Sequence, residues 1–363
     1  MTVAVRNIDD ALVEKVVETS IALEIPDDYW ERQGIITTLL RWDHPRGEEV
    51  ARHWLDHAVA TQTSEGLLSH GGTTQLTFGT YKTADSPIMQ GFVAGPDCSS
   101  YFGHPLLALH ERTGDARYLR AAADHVEAIR RGPATSEGYY LMNLSRPEVW
   151  VDALYPVCGL FAYLGRLAER PELVDDAYHQ LLVGARRLID PATGLARHVW
   201  CERPDTFPES AFWGRGNGFF SCAAAETLEQ APDHRDAPAV REVLAGLLRG
   251  AAAHQDRSGF LYDYIDDPGT RAESSGTLMF AYATGLAHEL GVADDALVEA
   301  AVRALDAVAG IVDPEGGIGR ITFVPGGPGV PRGTMVLGRS FFLLAAYHLR
   351  DAIGLRPDWT CPT

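Results

Sequence analysis

Lysine is almost missing from this chain: Lys15 and Lys82 are the only two in 363 residues. Nearly all positive charge is therefore arginine, and an anionic ligand would have to meet guanidinium groups. Positive charge is scarce as a whole, with 31 Lys and Arg against 49 Asp and Glu and a formal net charge of -18. No Lys/Arg cluster is present, which argues against nucleic acid as a partner, because phosphate binding needs a basic surface. Cysteine is sparse too. Cys98, Cys158, Cys201, Cys222 and Cys361 are odd in number and show no CxxC pair or other zinc spacing, so they read as structural thiols. No apolar run approaches the roughly 18 residues that span a bilayer, and MTVAVRNIDDALVEK has neither a basic nor an apolar signal region. A cytoplasmic protein with no membrane partner is expected. No phosphate loop follows a strand, no dinucleotide fingerprint occurs, and no His/Asp/Glu set has metal spacing; no nucleotide, metal or other cofactor is implied.

What the chain does have is repetition. Hydrophobic residues make up 46% of it, enough for a large core. Turn segments recur in which a Gly follows a polar cluster and precedes apolar residues: TSEGLLSH, TSEGYYLM, PATGLARH, DRSGFLYD and PEGGIGRI, pivoting on Gly66, Gly138, Gly194, Gly259 and Gly317. The period of about sixty residues marks an internally repeated architecture. Between the turns, apolar residues recur at three- and four-residue spacing. In GEEVARHWLDHAVAT, Val50, Trp54, Leu55 and Ala58 share one face and Glu48, Arg52 and Asp56 the other. Such patterns predict helices over about 9–23, 27–41, 47–62, 101–112, 116–131, 149–168, 172–188, 213–229, 237–254, 273–289, 294–309 and 336–351. Six helical hairpins make an all-α (α/α)6 barrel, a six-hairpin toroid forming one domain over 1–363.

Layering follows from composition. The Ala- and Gly-rich helices at 149–168, 213–229, 273–289 and 336–351 suit an inner ring, and amphipathic ones such as 116–131 and 237–254 an outer ring. Loops leading into inner helices then gather at one mouth. They bring together Asp97, Asp152, Trp213, Arg215, Asn217, Glu273 and Ser275, with His198 and Trp200 from the turn DPATGLARHVW. Acids, a histidine, an arginine, an amide and aromatics are the ingredients of a carbohydrate site: rings stack on sugars, polar groups bond hydroxyls, and a carboxyl pair moves protons. Asp152 also has a plainer explanation, as a helix cap.

The motifs resemble those of the unsaturated glucuronyl and rhamnogalacturonyl hydrolases, glycoside hydrolase families 88 and 105. FWGRGNGFF is similar to their W-x-R-G-N-G-W, VWVDALYPV to V-W-V-D-D-L-Y, and GLARHVW to G-L-x-x-H-x-W. AESSGTLMFAYA is similar to E-A-S-A-S-S-M-F-A-Y, and GTMVLGRSFFLLAA to the last inner helix, G-x-G-A-F-L-L-A. Ala153 stands where the family has a second acid, and Phe219 where it has the final Trp.

The resemblance implies an (α/α)6 barrel and a cofactor-free hydration. An aspartic acid protonates C4 of a C4=C5 unsaturated uronyl residue, water adds at C5, and the hemiketal opens to release the aglycone. Asp152 is then the general acid/base, and Asp97 the second carboxylate that tunes it and binds sugar hydroxyls. Set among Val151, Leu154 and Tyr155, Asp152 is expected to keep a proton more readily than a solvated acid. His198, Trp200, Trp213, Arg215, Asn217, Glu273 and Ser275 would line the sugar, with Arg339 and Arg332 as further carboxylate-binding candidates. The partner is a small-molecule or oligosaccharide substrate. A second expectation keeps the proton transfer and changes its outcome: a recruited enzyme of small-molecule biosynthesis that protonates an alkene or enol ether and directs cyclisation or rearrangement. DDYWE, 27–31, reads as a solvated helix start.

Overall fold

The computed structural model describes residues 3–23, 31–68, 89, 91–96, 98, 103–324, 326–327 and 330–360. Among them the chain forms twelve α-helices: α1 (Asp10–Ile21), α2 (Gln33–Arg41), α3 (Gly47–Ala60), α4 (Gly103–Thr113), α5 (Ala116–Arg130), α6 (Leu154–Leu167), α7 (Pro171–Leu188), α8 (Gly214–Gln230), α9 (Ala237–Ala253), α10 (Ser274–Glu289), α11 (Asp295–Ala309) and α12 (Val336–Ile353). Two expected segments start differently. The helix expected from 27 begins at Gln33, with Glu31 and Arg32 in a turn and 27–30 outside the described residues. The one expected from 149 opens instead as a strand and a 3-10 turn before α6.

The even-numbered helices make a closed inner ring, α2 on α4, then α6, α8, α10 and α12, which returns to α2. The odd-numbered helices lie outside it, each against its hairpin partner, with α1 against α12. This is the (α/α)6 toroid. Sequence dictates the layers: in α10 every residue from Ser274 to Ala287 is buried, as an inner helix requires, whereas α5 buries one face through Tyr118, Ala122, Val126 and Ile129. Close approach also needs small residues. A Cβ on Gly276 would lie 2.6 Å from the backbone carbon of Gly214, so glycine lets the starts of α8 and α10 touch.

The recurrent turns explain how the outer ring is assembled. Each follows an outer helix and docks on the next one: Gly66 against Asp124 of α5, Gly138 against His179 of α7, Gly194 against Gly246 of α9 and Gly259 against Arg303 of α11. At Gly259 φ is +98° and a Cβ would stand 2.5 Å from the Arg303 carbonyl oxygen, so both conformation and space demand glycine. In the fifth turn the left-handed residue is Gly316, with φ +72°, rather than the expected Gly317. The turn is built like the fourth one: Asp313 Oδ1 accepts the N–H groups of Glu315 and Gly317 as Asp256 Oδ1 accepts those of Ser258 and Phe260, which puts the left-handed residue three after the acid in both. Gly316 docks on Thr19 of α1, which closes the outer ring.

Short strands absent from the sequence expectation organise one mouth. β1 (Glu148–Trp150), β2 (Val199–Cys201) and β3 (Thr206–Glu209) form an antiparallel sheet in that order. Two further hairpins, β4 (Leu261–Tyr262) with β5 (Ala272–Glu273) and β6 (Ile321–Thr322) with β7 (Arg332–Gly333), lead into α10 and α12. Behind this mouth four inner helices meet through aromatic rings. Tyr155 of α6 stacks on Phe219 of α8 at 5.5 Å and touches Phe341 of α12 at 5.6 Å, and Phe341 in turn meets Tyr282 of α10 at 6.1 Å. These rings floor the mouth, each contributing on the order of 2 kcal/mol through burial. No described helix is long and apolar enough to cross a membrane.

Candidate active site

Sheet pairing sets the centre of the site. β1 runs directly into the 3-10 turn Val151–Ala153 that carries Asp152, and β2 is preceded by His198. The pairing Trp150↔Val199, extended by the Val151 N–H donating to the His198 carbonyl at 3.1 Å, brings the two side chains together. His198 Nε2 lies 3.1 Å from Asp152 Oδ2. The Asp152 side chain is 17% exposed and that of His198 only 4%, so a ligand can reach the acid while the histidine supports it from behind. Neither the 3-10 turn nor α6 has a side-chain cap, and the hydrogen bond of Asp152 is to His198 rather than to a helix N–H. The capping explanation does not describe its contacts.

His198 is itself held. Trp150 meets its ring edge-on at 5.5 Å, and Trp213 lies 4.5 Å away on another side. Trp150 is fixed by Glu148, whose Oε2 accepts the indole N–H at 2.7 Å and the Asn143 amide at 2.9 Å. Tyr139 donates to the Trp150 carbonyl at 2.6 Å. Glu148 is 1% exposed and was not picked out from the sequence, although it opens the VWVD strand.

The remaining expected residues fall into different roles. Asp97 lies outside the described residues. Asn217 spends its amide on the turn before His198: Oδ1 accepts the Ala196 N–H at 2.7 Å, and Nδ2 donates to the carbonyls of Ala196 at 2.9 Å and Trp213 at 3.0 Å. Arg215, 2% exposed, donates to the Thr322 carbonyl at 2.7 Å and to Ser275 Oγ at 3.2 Å, with Glu273 Oε1 at 3.8 Å. Its guanidinium also covers the Trp213 ring at 4.5 Å. Glu273 caps α10 by accepting the Gly276 N–H at 2.8 Å, and accepts the Ser275 hydroxyl at 2.7 Å and the Thr322 N–H at 3.2 Å. Arg215, Glu273 and Ser275 thus form one buried knot that ties β6 onto the starts of α8 and α10.

Trp213 is 2% exposed, its indole nitrogen has no acceptor among the described residues, and Gly326 lies against its ring. Trp200 is occupied by the Arg187 guanidinium, 4.4 Å over its ring, and by Asp205, which accepts its N–H at 2.7 Å. Arg332 donates to the Ala272 carbonyl at 2.6 Å. Arg339, at the start of α12, donates to the Glu315 carbonyl at 2.9 Å, and its buried Nη1 has no acceptor among the described residues. The solvated start expected at 27–31 is not seen at Glu31: it is 4% exposed and accepts the Leu337 N–H at 2.9 Å, because it clasps α12 to α2.

One further acid belongs to this mouth. Asp263, in the β4–β5 hairpin, accepts the Thr322 hydroxyl at 3.2 Å. Burial, and then the charge of Glu273, push it up to about 6 against the pull of Arg215. The D-Y in FLYDYIDD was its only sequence signal, and nothing in that pattern separates it from surface acids. No group of three or more His, Cys, Asp or Glu gathers into a metal site among the described residues. The arrangement therefore offers an accessible carboxyl group on a histidine support, over an aromatic floor and a rigid buried ion pair. Chemically it suits delivery of a proton to a bound ring.

Residues 99–351 match the family described as Glycosyl Hydrolase Family 88. Among characterised relatives, the unsaturated rhamnogalacturonyl hydrolase YesR of Bacillus subtilis (strain 168) is 28% identical over 229 residues, 61% of this chain and 64% of that protein. The aligned part is thus under two thirds of that relative's length. Protein Atu3128 of Agrobacterium fabrum is 31% identical over 174 residues, 44% of this chain and 74% of that one. Among solved structures, a possible GH105 family member from Salmonella enterica superposes with TM-score 0.78 at 21% identity, covering 94% of this chain and 93% of that chain. The unsaturated glucuronyl hydrolase from Bacillus sp. GL1 superposes with TM-score 0.64 at 16% identity, covering 96% and 97%.

Proposed function

Because this chain belongs to Glycosyl Hydrolase Family 88, we propose that it is an unsaturated uronyl hydrolase, of the glucuronyl or rhamnogalacturonyl kind, acting at the mouth built around Asp152. The observation that carries the proposal is the partly exposed Asp152 carboxyl held 3.1 Å from a buried His198. In its protonated form Asp152 gives its proton to C4 of the C4=C5 enol ether, and positive charge develops at C5 and the ring oxygen. Water adds at C5 and returns a proton to Asp152, which restores the acid. The C5 hemiketal opens and the aglycone leaves with a hydroxyl group. His198 orients the carboxyl group for the two proton transfers.

Arg215, Asn217, Glu273 and Ser275 act in this reading by fixing the mouth, since their polar atoms bond to the chain itself. Asp97 remains the proposed second carboxylate. A recruited biosynthetic enzyme would use the same proton donor, but neither the family nor the named relatives favour it.

The test is the ultraviolet band of unsaturated uronyl disaccharides, which vanishes when the conjugated enol ether is hydrated. Loss of the band with wild type supports the proposal. A silent wild type on both glucuronyl and galacturonyl disaccharides sinks it.

A further inference from the structure

The inner helices begin at the mouth that holds Asp152 and end at the opposite face of the toroid. Arg41 closes α2, Glu111 and Arg112 stand in the last turn of α4, Arg166 in the last turn of α6, and Glu229 and Gln230 close α8. Between these four helix ends lies a cavity of about 680 Å³, which the reaction proposed above does not use. Small-molecule sites commonly span roughly 300–1,000 Å³. His104 lines the cavity about two turns inside Glu111 on the same helix, and its ring meets that of Tyr163 at 4.8 Å.

The charges around this cavity are matched. Arg41 is paired with Glu229 through hydrogen bonds of 2.8 and 2.7 Å, Arg166 with Glu111 at 3.1 Å, and Arg112 with Asp43 at 2.6 Å. An ion of either sign would have to compete with one of these pairs to enter. A hydroxyl group would not: it donates to the carboxylate, accepts from the guanidinium, and joins a matched pair without adding charge. Gln230 continues the alternation of donors and acceptors, accepting from Arg166 Nε at 3.0 Å and donating to Glu229 at 3.3 Å. The helix C-termini add partial negative charge, which favours hydroxyl donors and opposes a free anion.

His104 supplies an independent sign of a ligand. It is 8% exposed, and its buried Nε2 has no hydrogen-bond partner among the described residues. Burial, and then the charge of Arg41, push it down to about 4, so the ring is neutral. A buried polar atom of this kind calls for a partner, and a neutral imidazole suits an uncharged one.

We propose that this far cavity is a second ligand site, separate from the Asp152 mouth, that binds a neutral sugar through its hydroxyl groups, with the Arg41–Glu229 and Arg166–Glu111 pairs as its walls and His104 as its innermost contact. Adjacent hydroxyls on one sugar face are spaced to meet a carboxylate and the guanidinium beside it. The site binds without chemistry and does not depend on the hydrolase proposal.

Isothermal titration calorimetry with the full chain tests it. The probes are D-glucose, D-galactose and lactose, with D-glucuronate and protonated D-glucosamine as charged counterparts, titrated into wild type, His104→Phe and Ala108→Trp. His104→Phe keeps a ring against Tyr163 and removes the nitrogen. Ala108 lines the cavity from a half-buried position on α4, so Ala108→Trp is expected to fill it and leave the ion pairs in place. Neither residue belongs to the Asp152 mouth, and both variants are expected to keep the wild-type circular dichroism. The neutral sugars are expected to bind wild type, and each substitution to weaken them about tenfold or more, the loss of one hydrogen bond to a buried group. The charged sugars are expected to bind wild type at least about tenfold more weakly than the neutral ones, the cost of disturbing a matched pair.

No binding of any neutral sugar to wild type overturns the site. Binding that survives both substitutions lies elsewhere, the Asp152 mouth included, and overturns the assignment to this cavity. Charged sugars that bind as tightly as neutral ones overturn the ligand class. Should Ala108→Trp fail to fold, His104→Phe alone reads the site. Because titration needs no turnover, a chain silent toward every uronyl sugar would refute the hydrolase and leave this site standing, and a wild type that hydrates uronyl sugars but binds no neutral sugar would do the reverse.

Discussion

His198 and Asp152, 46 residues apart in sequence, meet at 3.1 Å because the strand leading to one pairs with the strand leaving the other. The contact is therefore built by backbone register, and a one-residue slip between β1 and β2 would separate it. Removing the acid tests the chemistry most directly. Asp152→Asn is expected to lower turnover of unsaturated uronyl disaccharides by about 10³-fold or more with the fold intact, read from the ultraviolet band and far-ultraviolet circular dichroism. Residual activity above a tenth of wild type would remove Asp152 from the centre of the mechanism.

His198→Gln keeps a polar group but loses the imidazole held between Trp150 and Trp213. We expect kcat to fall about 10- to 100-fold with KM changing by less than threefold, the pattern of a group that orients the acid without gripping the sugar. A variant altered chiefly in KM would make His198 a sugar ligand instead.

Asn217 separates two accounts of the RGNG motif. If its amide serves the turn, Asn217→Ala leaves the backbone groups of Ala196 unpaired and costs about 2–4 kcal/mol in urea unfolding. Turnover falls with it, since that turn carries His198. Unchanged stability with a raised KM would return Asn217 to the sugar.

Glu226 gives a pH signature. It sits fully enclosed below the aromatic floor, facing the hydroxyls of Tyr282 and Tyr155 with Arg41, Glu229, Cys158 and Cys222 around it, and burial pushes it up to about 7 from an ordinary 4.5. The fold thus binds this proton more tightly than the unfolded chain does. Its contribution is fully present below the ordinary range and is lost as pH rises from about 4.5 through about 7. Glu226→Gln cannot ionise, so its stability relative to wild type is expected to improve by on the order of 2–3 kcal/mol between about pH 5 and pH 8. Parallel stability profiles for the two proteins across that range would contradict this.

Helix positions were legible because inner and outer helices carry opposite periodicities: continuous burial in α10, a single stripe in α5. The strands were not, since segments of two to four residues such as Leu261–Tyr262 are too short to alternate visibly. At the site, composition pointed to the right neighbourhood but not to what each group holds. Arg215 and Asn217 look like sugar ligands as sequence, yet their hydrogen bonds run to Thr322 and Ala196, partners 107 and 21 residues away.

The inner ring returns from α12 to α2, and the mouth draws Asp152 from the start of α6, His198 from the loop before α8, Glu273 from the start of α10 and Arg339 from α12. No contiguous fragment owns the site. A proteolytic piece lacking any hairpin would break the ring, and one lacking any of these four would also lose part of the mouth, so activity is expected to report whether the circle has assembled. Heat inactivation and global unfolding should then follow one curve.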